Sequence, residues 1–492
     1  MHAITTAIKH EEPLLFEHQH ADEKSISLPG VVADTPQHLQ AFLRNEVAMI
    51  PSLSEPEVVR HFVRLSQWNY GIESGFYPLG SCTMKYNPRV NETVVRLPGL
   101  AQLHPDQPED SVQGVLGLLF ELQQSLGEIV GLPHVTLQPA AGAHGELVGM
   151  MLIRAALNAR GEQQRTKVLI PDSAHGTNPA SAALCGMQCV ELKSRPDGRL
   201  DLIALDAALG NDVAALMLTN PNTAGVFEED IAEICARVHA AGAFVYGDGA
   251  NLNALVGVAR PGDMGIDCLH INVHKTFSTP HGGGGPGGGP VAVCDELARF
   301  LPTPRIERDG NTFCLRHTDE ESIGAMLGSI GQTGVLLRAL AYINAFGRDY
   351  LHHIAEDAVL NANYILHRLQ HAYHVPFAGF CKHECLLTDE KQAAHGVKTL
   401  DIAKRLIDCG FHPMTVYFPL IVHGAMLIEP TETESRATLD AFCDAMLDIA
   451  SQCEADNTDA LHDAPVLAFR QRLDETVAAR KPVLTWPKKA AT

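Results

Sequence analysis

The chain has 492 residues, 46% of them hydrophobic and 19% charged, which is the composition of an ordinary globular protein with more than one domain. Its formal net charge of -21 argues against binding to nucleic acid or to an anionic membrane, because both partners require a basic surface. The twelve cysteines are scattered without the spacing of a disulfide framework, which is typical of a reducing compartment.

The first 110 residues contain turn-rich pieces between short helical patterns such as 55–67. We interpret residues 1–110 as an N-terminal arm that wraps a neighbour and has no separate core. The N-terminus has no basic segment leading into an apolar run, and the longest apolar stretch, 115–132, is interrupted by Glu121 and Glu128. We therefore expect no secretory signal, no membrane-spanning helix and a cytoplasmic location.

Helical and strand patterns alternate over residues 111–345, which we interpret as a large domain. Helices are predicted at 115–130, 146–159 and 230–241, and strands at 167–170, 214–219 and 243–246. Short apolar runs between amphipathic helices predict an α/β fold whose mainly parallel sheet is covered on both faces. Because ligands of such folds bind at the carboxyl ends of the strands, the loops that follow the strands are the candidate site.

Two of these loops are rich in small and polar residues. The loop 138–146 opens a helix with Ala141, Gly142 and Ala143, and free backbone N–H groups there suit a phosphate, although a simple glycine-rich turn explains it equally well. The loop 171–179 places His175 where it would stack on a planar cofactor. A solvated turn histidine is the alternative.

Two further loops add groups that fit a pyridoxal phosphate (PLP) site. In the loop 219–225, Thr223 or Asn222 would reach a ring hydroxyl, and Asp248 ends the strand that leads into 246–251. A carboxylate between two glycines is by itself only a turn former. An aspartate one strand away from a Schiff-base lysine, however, pairs with the protonated pyridine nitrogen of PLP.

Lys275 is the candidate for that lysine. An apolar stretch, 268–273, predicts a strand that leads to it, and the glycine tract 282–289 follows, with Pro286 inside it. A lysine at a strand end, beside backbone that approaches a ligand closely, suits Schiff-base chemistry. Taken alone the signal is weak, because most lysines are solvated surface charges; the preceding phosphate loop and Asp248 favour catalysis.

The rest of the chain, 346–492, predicts a smaller α+β C-terminal domain. A long helical region is predicted at 319–348, and Thr431 to Glu434 has capping-box spacing for a helix that continues to about 452. The segment 381–385 holds two cysteines, a histidine and a glutamate, but it lacks a matching second pair, so we expect no zinc site. The formal G-x-G-x-x-G within the glycine tract contains Pro286 and lacks the strand–turn–helix context of a dinucleotide site.

Several segments resemble signatures of the glycine cleavage system P-protein family. They are YPLGSCTMKYNP at 77–88, DGANLN at 248–253, HKTFSTPHGGGGPG at 274–287, EPTETE at 429–434 and AARKPVL at 478–484. The resemblance spans nearly the whole chain. It is to the second, PLP-carrying subunit of the split bacterial form, because the fused form is much longer.

The resemblance implies a fold-type I PLP-dependent enzyme. Lys275 would hold PLP as a Schiff base, Asp248 would keep the ring nitrogen protonated, and His175 would stack on the ring. The resemblance also assigns other loop residues to the cofactor site: Ala141, Gly142, Ala143, Thr223 and His274. The implied activity is decarboxylation of glycine, release of CO2 and transfer of the aminomethyl group to the lipoyl disulfide of H-protein. The implied partners are P-protein subunit 1, in an α2β2 heterotetramer, and lipoylated H-protein.

Two alternatives to this interpretation stay open at this point. One is a different fold-type I PLP reaction without a lipoyl partner, such as that of a cysteine desulfurase or an amino-acid decarboxylase. The other is a non-catalytic scaffold subunit that retains the fold, against which the presence of Lys275, Asp248 and the phosphate loop argues.

Overall fold

The computed structural model describes residues 12–17, 36–43, 45, 51, 53–281, 287–468 and 470–485. The chain divides into two compact units, Met1–Gly75 and Phe76–Thr492. The first part of the glycine tract, residues 282–286, lies outside the described residues.

The described part of the N-terminal unit contains one α-helix, α1 (Glu55–Ser66), and two short 3-10 helices, Leu15–Glu17 and Gln37–Phe42. Helix α1 begins where the sequence predicts, because the backbone N–H and the hydroxyl of Ser54 both donate to the Glu57 carboxylate. Glu12 accepts from the Arg64 guanidinium at 2.6 Å. That hydrogen bond holds the pKa of Glu12 down to about 2.

The second unit contains α-helices of four to nineteen residues in its described part. They are α2 (Arg89–Val95), α3 (Pro98–Ala101), α4 (Gln113–Val130), α5 (Gly142–Ala159), α6 (Thr177–Leu184), α7 (Leu202–Ala208), α8 (Ile231–Ala240), α9 (Val273–Thr276), α10 (Asp295–Ala298), α11 (Thr333–Tyr350), α12 (His353–Leu369), α13 (Glu390–Ala393), α14 (Thr399–Asp408), α15 (Arg436–Glu454), α16 (Asp459–Asp463) and α17 (Glu475–Arg480). Short 3-10 helices lie at Glu109–Ser111, Leu252–Ala254 and Pro261–Met264.

A seven-stranded sheet forms the centre of the second unit, within its described residues. Its strands are β1 (His134–Thr136), β2 (Lys167–Pro171), β3 (Gln188–Leu192), β4 (Val213–Thr219), β5 (Phe244–Gly249), β6 (Cys268–Ile271) and β7 (Val291–Val293). Their spatial order is β1-β7-β6-β5-β4-β2-β3. Strands β2 to β6 all run parallel to one another. Strand β7 pairs antiparallel with both β6 and β1. The predicted α/β fold with a mainly parallel sheet is confirmed.

The sheet is buried on both faces. All seven residues of β4 are buried, and all of them except Thr219 are apolar, as expected for a strand that has helices on both sides. Leu216 belongs to the core under α4, α8 and α11, while Met217 belongs to the core under α5. Two layers of helices therefore enclose the strands and leave their carboxyl ends open for loops.

The C-terminal part has its own core and a small antiparallel sheet. The strands that pair are β10 (Cys385–Thr388), β11 (Thr415–Val416) and β12 (Ala425–Ile428), in the order β10-β12-β11. A separate hairpin comprises β8 (Arg305–Asp309) and β9 (Thr312–Arg316). Helices α12, α14 and α15 cover the three-stranded sheet. Leu79 forms a β-bridge with Ile428, so the segment around residue 80 is attached to this sheet.

Three predicted boundaries are wrong. The helix predicted from residue 319 begins only at Thr333, because the preceding turns include Gly331 at a φ of +141°, which a helix does not adopt. Helix α15 begins at Arg436 with Ser435 as its cap, whose hydroxyl accepts from the Thr438 N–H at 3.2 Å; the box predicted at 431–434 is one turn too early. Strand β6 ends at Ile271, and Val273 already belongs to the helical turn α9.

All twelve cysteines lie in the described part of the chain, and each of them is free. The helices that can be described do not include one both long and apolar enough to span a membrane. The predicted domain boundaries at 110 and 345 remain predictions.

Candidate active site

Lys275 lies in the turn α9, four residues beyond the last residue of β6. Asn272 caps this turn, and its carbonyl accepts the N–H groups of both Lys275 and Thr276. The ammonium group of Lys275 donates to the Ser81 carbonyl oxygen at 2.8 Å. The lysine that the sequence indicates is thus half-buried and covered by a segment from the start of the second unit.

Asp248 is buried on the adjacent strand β5, where it pairs in register with His270 of β6. Its carboxylate accepts from the Asn178 amide at 3.0 Å and from the Ala250 N–H at 2.9 Å. Burial by itself raises the pKa of this carboxyl, but His270, these two donors and the charge of Lys275 outweigh it and hold the pKa below its usual value. Asp248 is therefore an ionised carboxylate inside the protein, which requires a cationic or donating partner.

A network of polar side chains holds the carboxylate of Asp248 in place. The Asn178 amide donates to Glu146 at 2.8 Å as well as to Asp248, and the Thr177 hydroxyl donates to the other oxygen of Glu146 at 2.8 Å. His270 lies 3.4 Å from Asp248, and its ring also contacts the Tyr246 hydroxyl at 2.7 Å. Helices α5 and α6 thereby connect to the strand end through side chains, which orients the carboxylate.

Backbone packs against backbone where α5 begins. The Gly289 N–H donates to the Pro139 carbonyl at 2.9 Å, and a Cβ on Gly289 would overlap the carbonyl oxygen of Ala141. A Cβ on Gly145 would lie 2.7 Å from the Gly289 carbonyl oxygen. Gly289, at the described end of the glycine tract, therefore has no room for a side chain because it packs against the loop of Ala141 and Gly142.

The remaining predicted site residues lie in the loops around this strand edge. Thr223 is buried, and its hydroxyl donates to the Ser173 carbonyl, in the loop that carries His175. His175 is exposed, with its ring 5.9 Å from that of Phe418 and its Nδ1 3.1 Å from the Thr177 hydroxyl. The half-buried ring of His274 lies edge-on to that of His281, at 5.1 Å.

His274 and His281 are both neutral imidazoles. Burial, the neighbouring His281 and the charge of Lys275 lower the pKa of His274 to about 3. Burial and Lys275 lower the pKa of His281 to about 4. These two rings therefore add no positive charge beside Lys275.

The sequence analysis missed several residues that build the site. Asn178, Glu146 and Asn272 occur at the edges of the loops it singled out, but a polar residue in a loop does not reveal that it is buried. His270 is a histidine inside an apolar strand, which is a usable signal. Glu384 and Glu429, both fully buried, stand in segments that the sequence analysis names for other reasons, 381–385 and 429–434, but nothing in those segments indicates that both carboxylates contact the turn at Ser81.

The sequence matches two family descriptions over most of its length. Residues 27–311 match "Glycine cleavage system P-protein", and residues 354–467 match "Glycine dehydrogenase, C-terminal domain". A protein of Listeria welshimeri named "Probable glycine dehydrogenase (decarboxylating) subunit 2" is 54% identical over 482 residues, which cover 97% of this chain and 98% of that protein. A protein of the same name from Exiguobacterium sibiricum is 53% identical, with the same coverage.

Solved structures share the fold. A glycine decarboxylase (P-protein) of the glycine cleavage system, in inhibitor-bound form, aligns with a TM-score of 0.71 at 22% identity, over 83% of this chain and 92% of that one. The cysteine desulfurase CsdA of Escherichia coli aligns with a TM-score of 0.59 at 15% identity, over 82% of this chain and 99% of that one. The fold is that of the fold-type I PLP-dependent enzymes, as the sequence predicts.

Proposed function

Because this chain belongs to the glycine cleavage system P-protein family, we propose that it is the PLP-carrying subunit of a glycine decarboxylase. The observation that carries the proposal is the placement of Lys275 and the ionised Asp248 at the ends of the neighbouring parallel strands β6 and β5. Burying the charge of an aspartate costs stability. A non-catalytic scaffold would gain nothing from a buried, charged Asp248 on the strand next to the one that leads to Lys275.

The residues present fit PLP. Asp248 offers a buried anion that suits the protonated ring nitrogen, and Lys275 offers a primary amine. The start of α5 offers backbone N–H groups to a phosphate at Gly142 and Ala143. We further assign Thr223 and His274 to the edges of this site and His175 to the face of the ring.

PLP, when bound, supplies the electron sink for the bond that breaks between the glycine α-carbon and its carboxylate. The chain's own residues prepare the site for that chemistry. Asp248 would present its negative charge to the ring nitrogen of the cofactor, and Asn178 and His270 hold the carboxylate oxygens of Asp248 in place. Lys275 is the amine that would hold the cofactor, and the Ser81 carbonyl accepts from this amine at 2.8 Å. Because burial lowers the pKa values of His274 and His281, their rings are neutral and add no positive charge to the site.

The second half of the proposed reaction involves partners. We propose that the aminomethyl group passes to the lipoyl disulfide of H-protein while CO2 leaves, so that the carbon is transferred and the disulfide is reduced. The curated relatives are named subunit 2, which supports a companion subunit 1, and we propose an α2β2 assembly. The twelve free cysteines support a cytoplasmic location.

The test is exchange of labelled bicarbonate into the carboxyl group of glycine. The chain is assayed together with its companion subunit, with and without lipoylated H-protein. We expect exchange that depends on H-protein, and an adduct on Lys275 after borohydride reduction of the loaded protein. Exchange at an undiminished rate without H-protein would favour a different fold-type I reaction, and the absence of both exchange and adduct would favour a scaffold.

Lys275→Ala is expected to abolish glycine-dependent exchange, because no other amine in the described site replaces the one that holds the cofactor. Lys193→Ala is the matched control, since the Lys193 side chain is 75% exposed and pairs with Glu191 at 2.6 Å on the surface. The control should retain exchange and the borohydride adduct. Substantial exchange by Lys275→Ala would refute the role assigned to this lysine.

A further inference from the structure

The segment 79–87 joins the small sheet of the C-terminal part to the turn α9. At one end of the segment, Leu79 forms a β-bridge with Ile428 of β12. At the other end, the Asn87 amide donates to the Ser278 carbonyl oxygen at 2.7 Å, two residues beyond the last residue of α9. The segment therefore contacts both the small sheet and the part of the chain that carries the candidate lysine.

Lys85 lies within this segment, and its residue is only 3% exposed. Its Nζ donates to the Glu432 carboxylate at 2.7 Å, to the Thr276 carbonyl oxygen at 2.8 Å and to the Asn253 side-chain oxygen at 2.8 Å. An ammonium ion has three N–H donors, and three short hydrogen bonds use all of them. A neutral amine has only two, so the arrangement is that of a charged lysine.

Glu432 is the counter-ion of Lys85. The two side chains are 1% and 8% exposed, and the Tyr342 hydroxyl donates to the same oxygen of Glu432 at 2.8 Å. Removal of one partner of a buried ion pair leaves the other charge unpaired and is strongly destabilising, whereas replacement of both charges by neutral groups is far better tolerated. The ion pair can therefore be separated by experiment from the other contacts of Lys85.

The Thr276 carbonyl belongs to the end of α9, directly after Lys275. This helix has four residues, and the last carbonyls of a helix lack partners within it. The Lys275 carbonyl accepts from the Ser278 N–H at 3.3 Å, and the Thr276 carbonyl accepts from Lys85. Ser278 has a φ of +53°, so the chain leaves the helical path at once. Because so short a helix is not stable by itself, contacts from outside must hold the turn.

We propose that Lys85 is a positioning residue for Lys275. Its ammonium group holds the Thr276 carbonyl and thereby fixes the turn α9, so that the side chain of Lys275 is presented in one orientation. Glu432 balances the charge of Lys85 inside the protein. The consequence for catalysis rests on the proposed function, but the hold on the turn is a property of the chain alone.

A pair of variants separates the ion pair from the donor to Thr276. Lys85→Met leaves the charge of Glu432 buried without its counter-ion, so the thermal unfolding midpoint should fall by about 5 °C or more. Adding Glu432→Gln to Lys85→Met removes that charge, and this double variant should recover most of the midpoint. The donor to the Thr276 carbonyl is missing from both variants.

Hydrogen exchange of the full-length, cofactor-free chain measures the turn directly. In the double variant, the amides of 273–279 should exchange about tenfold faster than in the wild type, as expected for the loss of one hydrogen bond from a charged group. The amides of β4 and β5 should keep their protection. Glu432→Gln alone retains the donor, so its turn should stay protected although its unfolding midpoint falls.

The rate of reaction with PLP measures the orientation of Lys275. After PLP is mixed with the chain, the adduct on Lys275 is trapped with borohydride at successive times and quantified by mass spectrometry. The double variant should form this adduct about tenfold more slowly than the wild type, because the amine is no longer held in one orientation. Lys193→Met is the matched lysine-to-methionine control, since the Lys193 side chain is 75% exposed; it should match the wild type in all three measurements.

Three results would overturn the proposal. Wild-type protection of 273–279 in the double variant would show that the turn does not depend on Lys85. A wild-type rate of adduct formation, despite a less protected turn, would show that the turn does not orient Lys275. Faster exchange throughout the second unit, with an unfolding midpoint that Glu432→Gln does not restore, would show that Lys85 serves stability alone. If the wild type itself formed no adduct with PLP, the proposed function would fail, and hydrogen exchange of the cofactor-free chain would still decide whether Lys85 holds the turn.

Discussion

At the scale of single residues, the charge on Asp248 is the feature on which the proposed chemistry depends most. Asp248→Asn keeps the shape of the side chain but removes the charge, and its new amide would face the amide of Asn178, which now donates to the carboxylate at 3.0 Å. We expect glycine-dependent exchange to fall by about 100-fold or more, because loss of about 3 kcal/mol of stabilisation at the reacting centre reduces the rate by that factor. Cofactor should still bind through Lys275 and the start of α5.

The measurement is the exchange rate together with cofactor affinity from absorbance titration. Asn178→Ala is the companion variant, since it leaves Asp248 charged but removes a donor shared with Glu146. Its loss of exchange should be smaller, about tenfold, as expected for one hydrogen bond to a charged group. Equal rates for Asp248→Asn and the wild type would remove Asp248 from the mechanism.

The sequence places Lys275 and Asp248 at strand ends because each comes at or just beyond the end of an apolar run, and the structure has Asp248 at the end of β5 and Lys275 four residues beyond β6. Their catalytic roles are proposals. The residues that hold these two side chains in place could not be predicted from the sequence. Asn178 and His270 act through burial, and Glu384 and Glu429 meet the Ser81 turn only after about 300 residues of chain have folded between them. A spacing pattern contains no information on such contacts.

At the scale of elements, the approach of α5 to the glycine tract fixes where the phosphate loop lies. Gly145→Ala would put a Cβ 2.7 Å from the Gly289 carbonyl oxygen and 2.8 Å from the His270 Cβ. Because backbone must move to relieve these overlaps, we expect a loss of about 1–3 kcal/mol in the free energy of unfolding. The shift should also weaken cofactor binding, since the same helix start offers the N–H groups.

Gly114→Ala is the matched control for that variant. Gly114 lies in the first turn of α4, and a Cβ there meets nothing within 4 Å. Alanine is favoured over glycine in a helix by about 1 kcal/mol, so this variant should be neutral or more stable, with unchanged cofactor affinity. Denaturant unfolding and cofactor titration of both variants check the prediction; a Gly145→Ala protein as stable as Gly114→Ala would contradict it.

Element types could be predicted from the sequence more reliably than element ends. Strands β2, β4 and β5 and helices α4 and α8 lie within a few residues of their predicted bounds, because apolar periodicity reports burial directly. The start of α11 and the cap of α15 depend on a glycine conformation and on which of several polar residues accepts the N–H. Those choices follow from packing and are not encoded in periodicity.

At the scale of the whole molecule, buried histidines and buried carboxyls set opposite dependences of stability on pH. The pKa values of His274 and His383 are about 3 and that of His281 is about 4 in the folded chain, because burial disfavours their charged forms. The unfolded chain, with ordinary values near 6.5, binds more protons in that window. Stability therefore rises as the pH increases from about 4 to about 6.5.

The buried carboxyl groups change stability in the opposite direction as the pH rises. Burial raises the pKa of Glu429 to about 6 and of Glu434 to about 7, and it raises the pKa of Glu384 well above its ordinary value. The folded chain binds these protons more tightly than the unfolded chain, so the stabilisation is complete below about pH 4.5 and is lost as the pH rises through 6 and 7. The two trends together predict maximal stability between about pH 5 and 6.5.

Thermal unfolding of the full-length chain between about pH 4 and pH 9 measures this profile. The midpoint temperature should be highest on the acid side of neutrality and should fall above about pH 7. Glu434→Gln removes one of the groups responsible for the fall, and because Glu434 is only partly buried, solvent screening limits its effect to about 1 kcal/mol. The variant should therefore match the wild type near pH 5 and exceed it near pH 8. A wild-type midpoint that still rises above pH 7 would show that the buried carboxyls do not retain their protons in the folded chain.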